Sequence, residues 1–430
     1  MNKKWMQASA MIVLVMALMP LTARAEPDAG VVGNGTPASC DSSTLQTALN
    51  GGGNVTFNCG AAAHTIISNT YVISVNTIVD GGGKITLDGE NLRQHFIVNA
   101  GASLTLRNLN LNRGNAGQGG SINNSGTLIV VNVAFNNNSV PLATGYGGAI
   151  SNTGVLTITG ATFAQNAARY GGAIFTGGSS LVSIANTIFS QNNAQMYGGG
   201  LYMNNDLDSV TIINTAFDKN TASFGAGVSR GGGTLTINHA SFTDNAASHA
   251  SIGGGGLYVE STSKLVKVTN ATFSGNTTNG SYGGGIYNRG QLELVNVTLK
   301  NNKNNLFTAN AAGVKSELRN TVLDTTSSLN CDSGGPAVTS GGYNFANDNS
   351  CALNAPSDQK GPALNALLGP LTGSFTKYFV PQAGSPLIDK VGAICSTFDQ
   401  RYAVRDSKCD LGAVEASGLV ARSRLPIVMR

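Results

Sequence analysis

Beyond its first 25 residues the chain has no tryptophan, since the single Trp is Trp5. The commonest flat platform for a sugar ring is therefore missing. Charge is also scarce, at 11% of residues, and once Lys3, Lys4 and Arg24 are set aside 23 basic residues face 22 acidic ones. A balance that close to neutral gives no reason to expect nucleic acid or an anionic membrane as a partner. The four histidines are scattered and no Cys-x-x-Cys occurs, so no metal and no cofactor is expected. The calcium-loading nonapeptide GGxGxDxxx is absent as well. Past the N-terminus no apolar run is long enough to cross a bilayer as a helix, so no transmembrane segment is expected in the mature chain.

What the chain has instead is glycine, 56 of 430 residues, with a hydrophobic content of 41% that suffices for a core. It also repeats itself. Phe135 is followed by Asn138, Phe163 by Asn166, Phe189 by Asn192, Phe217 by Asn220, Phe242 by Asn245 and Phe273 by Asn276, and Leu299 takes the place of Phe ahead of Asn302. The spacing averages about 27 residues, the mark of a solenoid. A unit this short cannot bury its own apolar face, so the copies must stack into one elongated domain.

Each copy reads as strand. Val155–Thr159, Ser209–Ile213 and Thr234–Ile237 are short, β-branched and roughly alternating, with Gly, Asn and Ser at their ends. The segments between them are too short for ordinary helices. The expected fold is all-β, a right-handed parallel β-helix. Leu156 and Ile158, Leu235 and Ile237, and Leu292 and Leu294 point inward, and each Phe caps that row at a corner. The recurring Asn suits left-handed backbone at a tight corner. Equivalent amides one rung apart, about 4.8 Å, can bond each other in a ladder. The other reading is an Asn array facing a ligand. The Gly pairs permit φ > 0 at a bend.

The ends differ from the middle. Residues 1–25 carry Lys3 and Lys4, an apolar run from Met11 to Leu18 and the Ala23-Arg24-Ala25 cleavage pattern, and read as a secretory signal peptide. The mature chain is expected to be secreted or at the cell surface. Residues 26–60 read as an N-terminal cap. In it Asp41 and Ser42 start a short helix carrying Leu45, Ala48 and Leu49, with Gly51 to Gly53 ending it and Val55 to Cys59 as the first strand. Residues 61–330 hold the repeats, 331–415 a C-terminal cap, and 416–430 a tail that reads either as a frayed end or as a short sorting signal. The six cysteines form three local pairs, Cys40 with Cys59, Cys331 with Cys351 and Cys395 with Cys409. In an exported chain these read as disulfides at the solenoid's ends.

Gly147-Gly148-Ala149-Ile150 through Phe163-Ala164-Gln165-Asn166 resembles the repeat of chlamydial polymorphic outer membrane proteins. Asp80-Gly81-Gly82-Gly83 looks like the start of pectin-lyase-like β-helices. Gly384-Ser385-Pro386-Leu387-Ile388-Asp389, Asp399-Gln400-Arg401 and Cys409-Asp410-Leu411-Gly412-Ala413-Val414-Glu415 resemble the choice-of-anchor Q domain of bacterial surface proteins. Together these resemblances imply a right-handed β-helix that is secreted or on the cell surface, and they name a place better than an activity. The large C-terminal β-barrel of the first family has no counterpart in the short tail after Glu415.

Two functions compete. One is a non-catalytic structural, adhesive or binding role toward an extracellular glycan or surface protein. The other is a polysaccharide lyase or glycoside hydrolase on the pectin-lyase-like fold. A hydrolase needs two convergent carboxylates, and the Asn-Thr-Asp, Asp-Asp, Gly-His-Gly and Arg-Ile-Lys words of polygalacturonase-like enzymes do not occur. Asp206, Asp208, Asp218, Asp244 and Glu260 are spread over several coils; Asp206 and Asp208 read as solvated loop charges or as calcium ligands. No catalytic residue is assigned, and His239 and His249 do not read as a catalytic pair. The binding candidates are the aromatics ahead of the Gly pairs, Tyr146, Tyr170, Tyr197, Phe224 and Tyr282, with Ile252 interrupting them. Stacking would put them in one file. That file either shields a corner or forms an exposed stripe that grips a glycan or a partner protein.

Overall fold

The computed structural model describes residues 30–326, 328–333, 338–392 and 395–416. The expected signal peptide, residues 1–25, and most of the tail lie outside the described residues. The chain is a right-handed parallel β-helix of about twelve turns, in which each strand pairs with its equivalent one turn on. Among the described residues the short strands Tyr71–Ile73 through Cys331–Ser333 form an 11-stranded sheet. A second, longer sheet carries the repeats' main strands, such as Leu181–Ser190 and Ser209–Asp218, in unbroken register. Parallel pairing continues past the last Phe-x-x-Asn word to Phe345–Ala346 and Gln359–Lys360.

The register brings like onto like. Phe163 pairs with both Phe135 and Phe189, and the rings from Phe135 to Phe273 stack at 4.4–4.9 Å. All six are fully buried with Leu156, Ile158, Leu235 and Ile237 in one continuous core. The Phe residues do not stand at a corner, however. Each lies in a second strand arm, Thr162–Ala164 for example, reached from the first arm through a bend. The bend residue is left-handed: Asn132, Gly160, Asn186, Asn214, His239, Asn270, Asn296 and Asn320 all have φ between 45° and 71°.

The Asn of Phe-x-x-Asn is a buried ladder. Asn138 bonds Asn166, Asn166 bonds Asn192 and so on to Asn302, at 2.8–3.0 Å. The ladder then runs on through Asn305 and Asn330 to Asn347. These side chains from Asn138 to Asn302 are at most 2% exposed, so they face no ligand. Nor do they take the left-handed conformation. That falls on the preceding residue, Gln165, Gln191 or Lys219 for instance. The Asn amides themselves bond from turn to turn along the solenoid axis.

At the N-terminal end Asp41 caps the helix Ser42–Leu49 with a capping box, and Leu45, Ala48 and Leu49 close the core. The first strand is Gly30–Val32 rather than the segment starting at Val55; it pairs with Gly53–Phe57 and extends the sheet by one rung. The three cysteine pairs form as expected, with Cα–Cα distances of 5.6, 4.9 and 6.2 Å inside the range a disulfide requires.

The C-terminal cap also runs back along the solenoid as a strap. Gln400 accepts from Thr272 Oγ1 and its carbonyl accepts from His239 Nδ1; Ser396 meets Asn270 and Asn296; the Ala413 amide donates to Thr298 Oγ1. Burial along one outward column records this cover. Thr162 and Ile188 are half-exposed, whereas Ala216, Ser241, Thr272, Thr298, Val322 and Phe345, the same position in later turns, are buried. Inside the strap, Asp399 accepts from Arg401 and from the amides of Ala403 and Glu415, and Arg405 pairs with Glu415 at 3.2 Å, both buried. The Asp-Gln-Arg and Cys-to-Glu words thus hold the strap's own shape.

Candidate functional site

The Gly pair explains why aromatics can line up ahead of it. The first Gly of each pair turns the chain at φ near +60°: Gly147 at 66°, Gly171 at 66°, Gly198 at 65° and Gly225 at 60°. The second lies against the next turn, and a Cβ on Gly148 would stand 2.0 Å from the Gly172 carbonyl oxygen. With the corner so constrained, the preceding residue repeats its position from turn to turn. Tyr146, Tyr170, Tyr197 and Phe224 pair in register, and their rings stack at 5.2, 6.1 and 4.9 Å. The three tyrosines are half-buried and Phe224 is buried.

Tyr282 does not join that file directly. Ile252 occupies the intervening turn and packs into the same cluster, His249 covers Phe224 at 4.6 Å, and Tyr282 meets Phe307 at 4.8 Å. Continuity comes from a second file that sequence reasoning missed. The middle residue of each three-residue strand points outward, giving Phe175, Tyr202, Tyr258, Tyr287 and Phe307, with Ser229 in between. The first file leans over this one: Tyr146 on Phe175 at 4.8 Å, Tyr197 on Tyr202 at 5.1 Å, Phe224 on Tyr258 at 5.7 Å. Tyr258, Tyr287 and Phe307 carry the aromatic surface on to Tyr282. The signal was present in Ile174-Phe175-Thr176 and Leu257-Tyr258-Val259, but a strand of three residues is too short to show which face its centre takes.

The flank also carries charge. Burial raises the Glu260 carboxyl, against a counter-pull from Arg289. Arg289 is held charged by a hydrogen bond with Tyr258. Burial pushes the Tyr197, Tyr202 and Tyr258 phenols upward, with Glu260 adding to each. Near neutral pH these phenols are therefore protonated, and Tyr202 donates to Asn204 Oδ1 at 2.7 Å. Among the described residues Arg289 is the charged group that acts on Glu260.

The other acids are dispersed. Asp208 is buried and accepts from the Ser180 and Asn205 amides, bracing two turns. Asp206 accepts from Ser263, and Asp218 from Thr243. No group of three or more His, Cys, Asp or Glu side chains is placed to hold a metal among the described residues. His239 lies against Tyr402 of the strap, at 4.0 Å between rings, away from His249.

Residues 94–273 match the family model of the right-handed β-helix region, the stretch that holds the regular turns and most of the aromatic flank. No curated protein and no solved structure matches the chain at a significant level. The chain is thus a right-handed parallel β-helix stapled by three disulfides. No helix among the described residues is long and apolar enough to cross a membrane.

Proposed function

We propose that the chain is an exported, non-catalytic β-helix that holds an extended extracellular glycan along its aromatic flank. The observation that carries this reading is the file of half-buried tyrosines, Tyr146, Tyr170 and Tyr197, repeating at rung spacing over a second aromatic layer. A rigid row of rings tipped with hydroxyl donors offers stacking and hydrogen bonding at low conformational cost. The signal peptide, the disulfides and the choice-of-anchor-like words at Gly384–Asp389 and Cys409–Glu415 support a secreted or surface-attached setting, where glycans are abundant.

A glycan array on the mature chain, run beside a lyase assay on polygalacturonate and alginate with and without calcium, tests the reading. Binding without turnover is expected. Tyr170→Ala with Tyr197→Ala should weaken binding by about tenfold or more and leave the far-UV circular dichroism unchanged. Loss of folding in that double variant would make the file a structural shield. Capture of a protein in place of a glycan would reassign the flank, and release of unsaturated sugars would make the chain an enzyme.

A further inference from the structure

A second site lies where the strap crosses the bend column, and it shares no residue with the aromatic flank. Thr372 and Tyr378 pair antiparallel through two backbone bonds of 2.9 Å, throwing the turn between them over the solenoid. Gly373 makes that turn possible: its φ is +107°, and a Cβ there would stand 2.2 Å from the Thr376 carbonyl oxygen. Under the turn opens a cleft of about 450 Å3. Phe375, Tyr378 and Tyr402 give it aromatic walls, and Asn186 and Asn214 reach it from the solenoid. Its volume is in the range of small-molecule sites.

The two asparagines are the informative part. Elsewhere the bend column is a chain of amides, Asn320 donating to Asn296 and Asn296 to Asn270, which in turn donates to Asn238 at the end of the strand before the bend. Here it is interrupted on both sides, by Gly160 and by His239, which turns to the strap instead. Asn214 donates to Asn186 Oδ1 at 2.7 Å. Among the described residues, no protein group accepts from the Asn186 amide and none donates to Asn214 Oδ1. A donor on Asn186 and an acceptor on Asn214, the two outer ends of this pair, thus stand beside aromatic side chains.

The cation that lines the cleft is already engaged. Arg401 is held by Asp399 at 2.7 and 2.9 Å while lying over Tyr378. Lys377 donates to the Gly373 carbonyl. Asp399 is fully buried. Among the described residues that line the cleft, Arg401 is the one ionised group, and Asp399 pairs with it.

We infer that this cleft binds one neutral pyranose unit of a glycan. The aromatic walls take the apolar C–H face of the ring, and Asn186 and Asn214 take its hydroxyls as donor and acceptor.

The test uses the full mature chain and a panel of neutral methyl glycosides, those of glucose, galactose, mannose and N-acetylglucosamine, with methyl glucuronide as the charged counterpart. Binding is read by saturation-transfer NMR and titration calorimetry. Both asparagines have left-handed backbone, so Asn186→Gly and Asn214→Gly remove the amides without strain. At least one neutral glycoside should bind, more tightly than the glucuronide. Together the two Gly substitutions should lower its affinity by about tenfold or more, with the far-UV circular dichroism of the folded chain unchanged. Tyr170→Ala with Tyr197→Ala should leave that affinity as it was, which separates this site from the flank. Absence of binding at roughly 10 mM glycoside, preference for the glucuronide, or affinity that survives the paired Gly variant would each overturn the inference.

Discussion

The Asn ladder makes a strong demand on a single side chain, and Asn192→Ala isolates it. Asn192 is fully buried. Its Oδ1 accepts from the Asn166 backbone N–H at 3.0 Å and from Asn166 Nδ2 at 2.9 Å; its Nδ2 donates to the Phe163 carbonyl at 3.0 Å and to Asn220 Oδ1 at 2.9 Å. Alanine removes all four bonds and strands a buried backbone donor. An orphaned buried group costs about 1–3 kcal/mol and each of the others about 1 kcal/mol. Water entering the vacated space would recover part of this. The expected cost is roughly 3–5 kcal/mol, read by urea unfolding followed with circular dichroism. The neighbouring Asn193 is exposed, and its side chain accepts from Thr221 Oγ1, so Asn193→Ala should stay within about 0.5 kcal/mol.

Asn192→Asp adds a second readout. One carboxylate oxygen would still accept from Asn166, but the other would face the Phe163 carbonyl and Asn220 Oδ1, two acceptors. A buried, repelled carboxylate has its folded pKa raised above the unfolded value of about 3.9. The variant should therefore be weakest near neutral pH and recover as the pH falls and the group protonates. If Asn192→Ala costs less than about 1 kcal/mol, or if the aspartate shows no such recovery, the ladder does not hold the turns together as argued.

Three further perturbations probe other parts of the molecule. Phe217 stacks at 4.8 Å on both Phe189 and Phe242, so Phe217→Ala should cost about 3–5 kcal/mol in the same unfolding assay. His95 is fully buried, its Nε2 facing the Leu87 carbonyl and its Nδ1 facing Ser121 Oγ, and burial lowers it from 6.5 to about 4. The unfolded chain thus takes up a proton that the fold refuses: this contribution is complete above pH 6.5 and shrinks by up to about 3 kcal/mol on approach to pH 4, a slope that His95→Gln should flatten relative to the parent chain. Leu387 of the strap packs with Val322 and Phe345 of the solenoid. Leu387→Ala should cost about 2–5 kcal/mol and open residues 361–416 to limited proteolysis before the solenoid unfolds; a strap as resistant as the parent's would argue against that packing.

Much of this architecture is local physics, and local physics is legible in sequence. Parallel stacking places each residue on its own equivalent, so a word repeated every turn declares its contacts: Phe upon Phe, Asn upon Asn, aromatic upon aromatic ahead of each Gly pair. The capping helix follows from Asp41 and the apolar face of Leu45, Ala48 and Leu49. The cysteine pairs follow from closeness along the chain. Other features depended on the assembled turns. Which residue took the left-handed conformation was decided in the assembled turns, where it fell on the residue before the ladder Asn, Gln165, Gln191 or Lys219 for instance. Phe175, Tyr202 and Tyr258 form a second file only because their three-residue strands all present the same face outward. The C-terminal segment was legible as a cap, but its path back along the solenoid was not. Residues 361–416 repeat nothing, and their contacts, Thr272 with Gln400 and Asn296 with Ser396, join positions 128 and 100 residues apart. Only the finished solenoid offers an outward column for that segment to cover, and only that covering creates the cleft at Asn186 and Asn214.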